Sequence, residues 1–180
     1  GLCQVLLCKW GQKMYESKHC PKLYIWKRSR LFIGTRHLPF RKYTLAWSQL
    51  LVSIQGEMRI RLDDGSEIAT RTCMIKAGTV VNQGCIDTSQ AVIAIYYFNP
   101  ISQDFFILQN EMIHARKGVC YLHPNEAHLI ERLHLILKES LSTHQVERLC
   151  QDAIVSPEFR RPIVKEFDHR IIDTLKKVRE

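Results

Sequence analysis

The first half of the chain alternates apolar and polar side chains with the period of two that is typical of half-buried β-strands. Met58, Ile60 and Leu62 alternate with charged residues, and the turn residues Gly56 and Gly65 lie on either side of them. Short strands between turns favour a small sandwich or barrel over alternating strands and helices. Comparable segments predict further strands over residues 47–54, 67–75, 80–81, 91–98 and 119–122.

After residue 100 the apolar positions take the spacing of an amphipathic helix, which predicts a helix over residues 125–141. Ser142 and Gln145 have the spacing of a capping box and predict a second helix. Asp168 begins a third predicted helix that continues to the end of the sequence. The apolar stripe of the first helix consists of Leu129, Ile130, Leu133, Ile136, Leu137 and Leu141.

The net charge of the 180 residues is +8, and the excess lies at the N-terminus. Residues 1–43 contain ten lysines and arginines against one acidic residue, interleaved with aromatic residues such as Trp10 and Trp26. Such a segment can neutralise phosphates and stack on bases, or it can be a solvated arm. The longest apolar run, residues 91–98, is far below the roughly 18 residues of a membrane span. With no basic start resembling a signal peptide, we expect a cytoplasmic protein.

The residues that carry chemistry form no familiar catalytic arrangement. The seven cysteines are odd in number and include no Cys-x-x-Cys pair, which predicts reduced and mostly buried thiols. Cys85 is either a reactive thiol or an ordinary loop cysteine. No nucleophile elbow, phosphate loop or dinucleotide motif occurs, so we expect no enzyme activity. We interpret four histidines as surface residues: His114, His123, His128 and His134.

The order of these elements resembles that of the AraC family of bacterial transcription regulators. The segments that carry the resemblance are residues 30–34 (RLFIG), 49–56 (QLLVSIQG), 75–79 (IKAGT) and 167–175 (FDHRIIDTL). The resemblance implies a cupin-like sensory β-barrel, a helical dimerisation segment and a linker helix. It also implies that DNA is contacted only through a domain with two helix-turn-helix units that lies outside this chain.

On this basis the expected fold class is mostly β with C-terminal α, a small cupin-like β-barrel followed by a helical dimerisation segment. The expected organisation is a basic N-terminal arm over residues 1–24, the barrel over 25–122, the dimerisation segment over 123–160 and the linker helix over 161–180.

The resemblance also bears on metals. Metal-using cupins carry a His-x-His pair and a later histidine, whose imidazoles bind one ion. Phe40, Lys42 and Asp87 stand at the matching positions here. We therefore expect a barrel without metal and without a cofactor.

An effector site is expected inside the barrel, where alternate strand residues line the interior. Trp47 and Gln49 share one face of a predicted strand, and Phe40, Gln83 and Tyr96 are expected to join them. An aromatic wall with an amide suits a small, partly polar organic molecule. In the alternative interpretation the aromatic side chains simply fill the core.

The helical stripe is expected to form a homodimer, with the helices over residues 125–141 of two chains antiparallel across a two-fold axis. Its interface residues would be Leu129, Ile130, Leu133, Ile136 and Leu137. Alternatively, the stripe packs inside its own chain.

The favoured function is the effector-sensing and dimerisation region of an AraC-type regulator. The alternatives are a metal-free cupin enzyme resembling an isomerase, for which we find no acid–base pair, a cupin that only binds a small molecule, or a nucleic-acid module that uses the basic arm.

Overall fold

The structure is a computed structural model that describes residues 21–35, 42–82, 85–89 and 91–160. The third predicted helix and most of the predicted basic arm lie outside these residues. The described strands are β1 (Lys22–Ile25), β2 (Arg30–Gly34), β3 (Lys42–Thr44), β4 (Gln49–Gln55), β5 (Met58–Arg61), β6 (Glu67–Thr70), β7 (Thr72–Ile75), β8 (Val80–Asn82), β9 (Ile86–Asp87), β10 (Val92–Tyr97), β11 (His114–Arg116) and β12 (Val119–Tyr121). The described helices are α1 (Asp104–Glu111), α2 (Glu126–Lys138) and α3 (Thr143–Ile154).

Antiparallel pairing joins these strands into three sheets. The largest has seven strands in the order β1-β2-β10-β4-β7-β12-β11, and the others have the orders β3-β8 and β6-β5-β9. The fold class, mostly β with C-terminal helices, is therefore confirmed. Within the described ranges the hydrogen bonds form three separate sheets and do not close them into one barrel.

Successive side chains of a strand point to opposite sides of its sheet, and a hydrophobic core packs on each face of the seven-stranded sheet. On one side, which we call the helix face, Leu50 and Val52 of β4 pack against a core shared with α1, α2 and α3. On the other side, the inner face, Leu51 and Ile95 pack against the small sheets, for example against Met58 of β5. The architecture is thus three layers: helices, the large sheet and the small sheets.

Two side chains from the edge of the large sheet attach the helices to it. The Lys22 ammonium donates hydrogen bonds to the carbonyls of Ile136, at 2.8 Å, and Glu139, at 3.1 Å, at the end of α2. The Trp26 indole donates to the carbonyl of Thr143 at the start of α3, at 3.0 Å. The Ile136 and Glu139 carbonyls lie at the C-terminal end of α2, where backbone carbonyls need partners from outside the helix.

The predicted helices agree closely with α2 and α3. The capping box is confirmed, because the Ser142 hydroxyl accepts from the Gln145 backbone and the Gln145 side chain accepts from the Ser142 backbone. The predicted strand over residues 67–75 is in fact two strands in different sheets, β6 and β7. The break is at Arg71, whose guanidinium donates to the carbonyls of Ser53 and Ile54.

No helix in the part of the chain that the structure describes has the length and apolar character needed to span a membrane.

Candidate ligand-binding site

One end of the inner face carries a line of four neighbouring side chains from four adjacent strands. The register places Arg30 of β2 opposite Tyr97 of β10, Tyr97 opposite Gln49 of β4, and Gln49 opposite Ile75 of β7. Residues directly opposite in an antiparallel pair point to the same face, with Cβ atoms about 4.5–5.5 Å apart. We call Arg30, Gln49, Ile75 and Tyr97 the end row.

Trp47, in the loop before β4, adds an aromatic ring to the end row. The guanidinium carbon of Arg30 lies 4.9 Å from the centroid of the Trp47 ring, in a cation–π contact. Such a contact contributes about 0.5–1 kcal/mol at an exposed site, enough to orient the guanidinium. The salt bridges among the described residues do not include Arg30. Its N–H groups therefore remain available to an acceptor.

Gln49 supplies the recessed polar group of the end row. Its side chain is only 6% exposed, and its amide makes no hydrogen bond to another described residue. No polar side-chain atom of the described residues is both fully buried and unbonded, so the unbonded amide of Gln49 keeps some contact with solvent. A primary amide can donate and accept, so Gln49 offers both halves of a hydrogen-bonding pair.

The next row inward is apolar and forms a floor. The register continues through Phe32, Ile95, Leu51 and Cys73, all on the inner face. Burial raises the pKa of the Cys73 thiol to about 12, so it stays protonated at neutral pH and is no nucleophile. Polar and aromatic groups at the rim over an apolar floor are the usual composition of a small-molecule site.

The structure brings two of the predicted site residues together, Trp47 and Gln49. Tyr96 lies on the helix face, because its partner across β4 is Leu50. Burial raises the pKa of Tyr96 to about 12, although the nearby Ser29 side chain partly opposes that rise. Tyr96 lines a separate open cleft of about 1110 Å³ between the sheet and α3. Phe40 and Gln83 lie outside the described residues.

Sequence reasoning did not identify Arg30 and Tyr97 as site residues. The sequence signal available for these two residues was their position in the alternation of side chains between the two faces of a strand. Arg30 precedes buried Leu31 on the opposite face, and Tyr97 has the same parity as buried Ile95. Because β10 is buried on both faces, its sequence reads as continuously apolar and does not reveal which side chains face inward.

The positions compared with cupin metal ligands are arranged differently from a metal site. Asp87 is exposed, and its carboxylate accepts a hydrogen bond from the Ser89 backbone at 2.9 Å. The hydrogen bonds from the Ser89 backbone and side chain hold the pKa of Asp87 below its usual value. In the described ranges, no group of three or more His, Cys, Asp or Glu side chains lies close enough to hold an ion. That the whole protein is free of metal stays a prediction.

The predicted dimer stripe lies inside the chain, which corrects its assignment as an open interface. Its members pack between the helix face and α3, where they form part of the core. The large apolar side chain that α2 exposes is Leu135, at 38%. Intrachain packing, the alternative weighed from the sequence, describes this helix, whereas dimerisation itself stays a prediction. The stripe residues named above as the interface are buried Leu129, Leu133, Ile136 and Leu137 and half-buried Ile130.

Three solved structures are similar to parts of this chain. Protein NMB1881 from Neisseria meningitidis is 13% identical over 55% of this chain and 96% of its own, with a TM-score of 0.36. A protein described as ethanolamine utilization protein Q from Salmonella typhimurium is 18% identical over 48% of this chain and 74% of its own, with a TM-score of 0.26. A cupin domain from Bordetella pertussis is 10% identical over 48% of this chain and 97% of its own, with a TM-score of 0.25. With TM-scores this low, these likenesses carry no argument about function.

No protein-family model matches the sequence, and a comparison with the curated proteins finds no match.

Proposed function

We propose that this protein binds a small, partly polar organic molecule over the end row of the inner face. The observation that carries the proposal is the Gln49 amide, which is almost buried, unbonded to other described residues and yet open to solvent. Buried polar groups in folded proteins are nearly always hydrogen-bonded. A ligand that pairs with this amide gains hydrogen bonds without breaking any that the described residues make.

The neighbours of Gln49 favour a molecule with a flat or apolar body and an acceptor group. The Trp47 and Tyr97 rings offer surfaces for the body, and the Arg30 guanidinium, oriented by Trp47, offers donors for the acceptor. The apolar floor beneath excludes a deeply inserted charge. The end row contains no carboxylate, histidine or thiol, so it holds no group suited to proton transfer at neutral pH. We therefore propose binding without catalysis.

We propose further that the bound molecule is the effector of an AraC-type transcription regulator. Support comes from the segments that carry the resemblance. Arg30, Gln49 and Ile75 are the first residues of three of them, and all three belong to the end row. In this role the protein is cytoplasmic and acts as a homodimer, and DNA is contacted through a domain outside this chain. The runner-up is a small-molecule-binding cupin with no regulatory role.

Ligand binding is tested with a matched pair of variants on one strand. Thermal unfolding is followed with a panel of small organic acids, sugars and amines, because a ligand at a hundred times its Kd stabilises a protein by about 2.7 kcal/mol. Gln49→Ala should weaken binding of a stabilising compound about tenfold, the equivalent of one good hydrogen bond. Gln55→Ala, at the exposed end of the same strand, should bind it normally. A panel without a stabilising compound, or equal binding by both variants, would refute the site.

The regulatory role is tested by the natural reading frame beyond residue 180. A continuation that encodes two helix-turn-helix units is expected. A frame that continues into an unrelated domain would favour the runner-up.

A further inference from the structure

His123, interpreted from the sequence as a surface residue, is instead 1% exposed and joins three elements that are distant in sequence. Its backbone N–H donates to the Thr72 hydroxyl of β7, at 2.8 Å. Its Nε2 lies 2.9 Å from the carbonyl oxygen of Ile154, the last residue of α3. The backbone N–H of Asn125, just before α2, donates to its Nδ1 at 3.0 Å.

These partners fix the protonation state of the imidazole. A carbonyl oxygen can only accept, so Nε2 carries the proton that the Ile154 carbonyl receives. A backbone N–H can only donate, so Nδ1 must offer its lone pair to Asn125. The ring is therefore neutral. A second proton on Nδ1 would point at another donor and place a charge in the core.

The surroundings of the ring oppose that charge. Burial lowers the pKa of His123, although the Ile154 carbonyl and the Glu126 carboxylate favour the charged form. The titratable groups that act on the ring are Glu126 and His128 of α2. The backbone N–H of His123 donates to the Thr72 hydroxyl of β7, and that hydroxyl in turn donates to the Glu126 carboxylate. Glu126 is thus held by β7 and does not form an ion pair with His123 among the described residues.

We propose that His123 is an acid-sensitive latch that holds the end of α3 and the start of α2 on the helix face of the sheet. A proton taken up at Nδ1 breaks the Asn125 contact and drives the ring toward solvent. Its departure also removes the bond to the Ile154 carbonyl. The end of α3 then separates from the sheet, whereas the core on the inner face, to which the described hydrogen bonds of His123 do not extend, stays packed. This inference needs no ligand and is independent of the proposed function.

Hydrogen exchange of the intact chain at a series of pH values between about 8 and 5 tests the latch, after correction for intrinsic exchange rates. If opening takes up one proton, protection of the amides at the end of α3 falls about tenfold per pH unit below the ordinary histidine range. Amides of β10 should keep their protection.

The test has a matched pair of variants. His123→Gln keeps a donor for the Ile154 carbonyl but cannot be protonated, so its α3 protection should not vary with pH. His144→Gln makes the same change at an exposed position of α3 and should respond to pH as the unmodified chain does. Constant protection in the unmodified chain, or an unchanged pH response in His123→Gln, would overturn the latch.

Should His123→Gln fail to fold, nitrogen NMR of the unmodified chain provides a second measurement. The expected result is a neutral ring with its proton on Nε2, whose titration coincides with the loss of α3 protection. A ring that stays neutral until the whole chain unfolds in one transition would overturn the proposal.

Discussion

Tyr96 and Tyr97 are consecutive residues of β10, and their rings lie on opposite faces of the seven-stranded sheet. Tyr97 is opposite Gln49 in the end row, whereas Tyr96 packs against the helix-face core, near the Ser29 side chain. The preceding residues Ala94 and Ile95 are buried, one on each face of the sheet. Adjacent positions of one strand therefore contribute to different parts of the molecule, one to the candidate site and the other to the attachment of the helices.

This separation predicts opposite results for two conservative changes. Tyr96→Phe should lower the free energy of unfolding by about 0.5–1.5 kcal/mol, because it removes a hydroxyl that interacts with the nearly buried Ser29 side chain. Tyr97→Phe, at a half-buried position, should leave stability nearly unchanged. Urea denaturation of both variants provides the measurement. Equal losses would show that the two hydroxyls do not differ in this way.

Because the apolar stripe of α2 is buried, we expect substitutions in it to unfold the chain rather than only to dissociate a dimer. Leu133→Ala should lower the free energy of unfolding by about 2–5 kcal/mol, because it leaves a cavity in the core. The paired change of Leu133 and Leu137 to Asp should leave the chain unfolded in circular dichroism. Leu135→Asp is the control and should stay folded, since Leu135 is exposed. A folded, monomeric Leu133/Leu137 double variant would support the dimer interface instead.

The capping box predicts the stability of the start of α3. Ser142→Ala should cost about 0.5–2 kcal/mol, because the Gln145 N–H loses its acceptor. Ser142→Asp should retain most of the stability. Ser140→Ala, an exposed serine in the same loop, is the control and should have almost no effect. A similar loss for both alanine variants would contradict the role of the cap.

The absence of metal is a prediction for the whole chain. Elemental analysis of untagged protein should find no stoichiometric transition metal, and a chelator should leave the unfolding temperature unchanged. The physical reason is that Phe40, Lys42 and Asp87 replace the imidazoles expected at a cupin metal site, and Asp87 is already bonded to Ser89. One equivalent of bound metal would overturn this prediction.

The prediction for DNA is weak binding that depends on salt and not on base sequence. Basic residues concentrated before residue 43 can contact phosphates, which carry no sequence information. In a gel-shift experiment, unrelated competitor DNA should abolish all binding. A complex that survives the competitor would show that this chain itself contains a sequence-reading element.

The elements that the sequence predicts best are those with local signals. Ser142 and Gln145 define the start of α3 through two neighbouring hydrogen bonds. Non-local contacts decide the rest. Arg71 stands at the break in an apparently continuous strand, and its side chain donates to carbonyls of β4, far away in the sequence. In α1 the buried Phe105 is followed directly by the exposed Phe106, so the sequence of this short helix shows no clear apolar stripe.

The candidate site was predictable only in part, for a related reason. Trp47 and Gln49 were recognisable as an aromatic ring and an amide near one predicted strand. Their neighbours come from β2 and β10, and no local pattern reports the register between strands so distant in sequence.

The position of β10 between β2 and β4 also governs the order in which the molecule can form on the ribosome. Both neighbours are synthesised long before β10, so each waits with one edge of its backbone unpaired. Closing the sheet is a long-range event, of the kind that slows folding, and it takes place only once residues 92–97 have emerged. Nascent chains that stall before this strand leave the facing edges of β2 and β4 open, and such edges are surfaces through which β-proteins associate with one another. The strand that joins the two parts of the sheet therefore also covers two edges that would favour aggregation of the new chain.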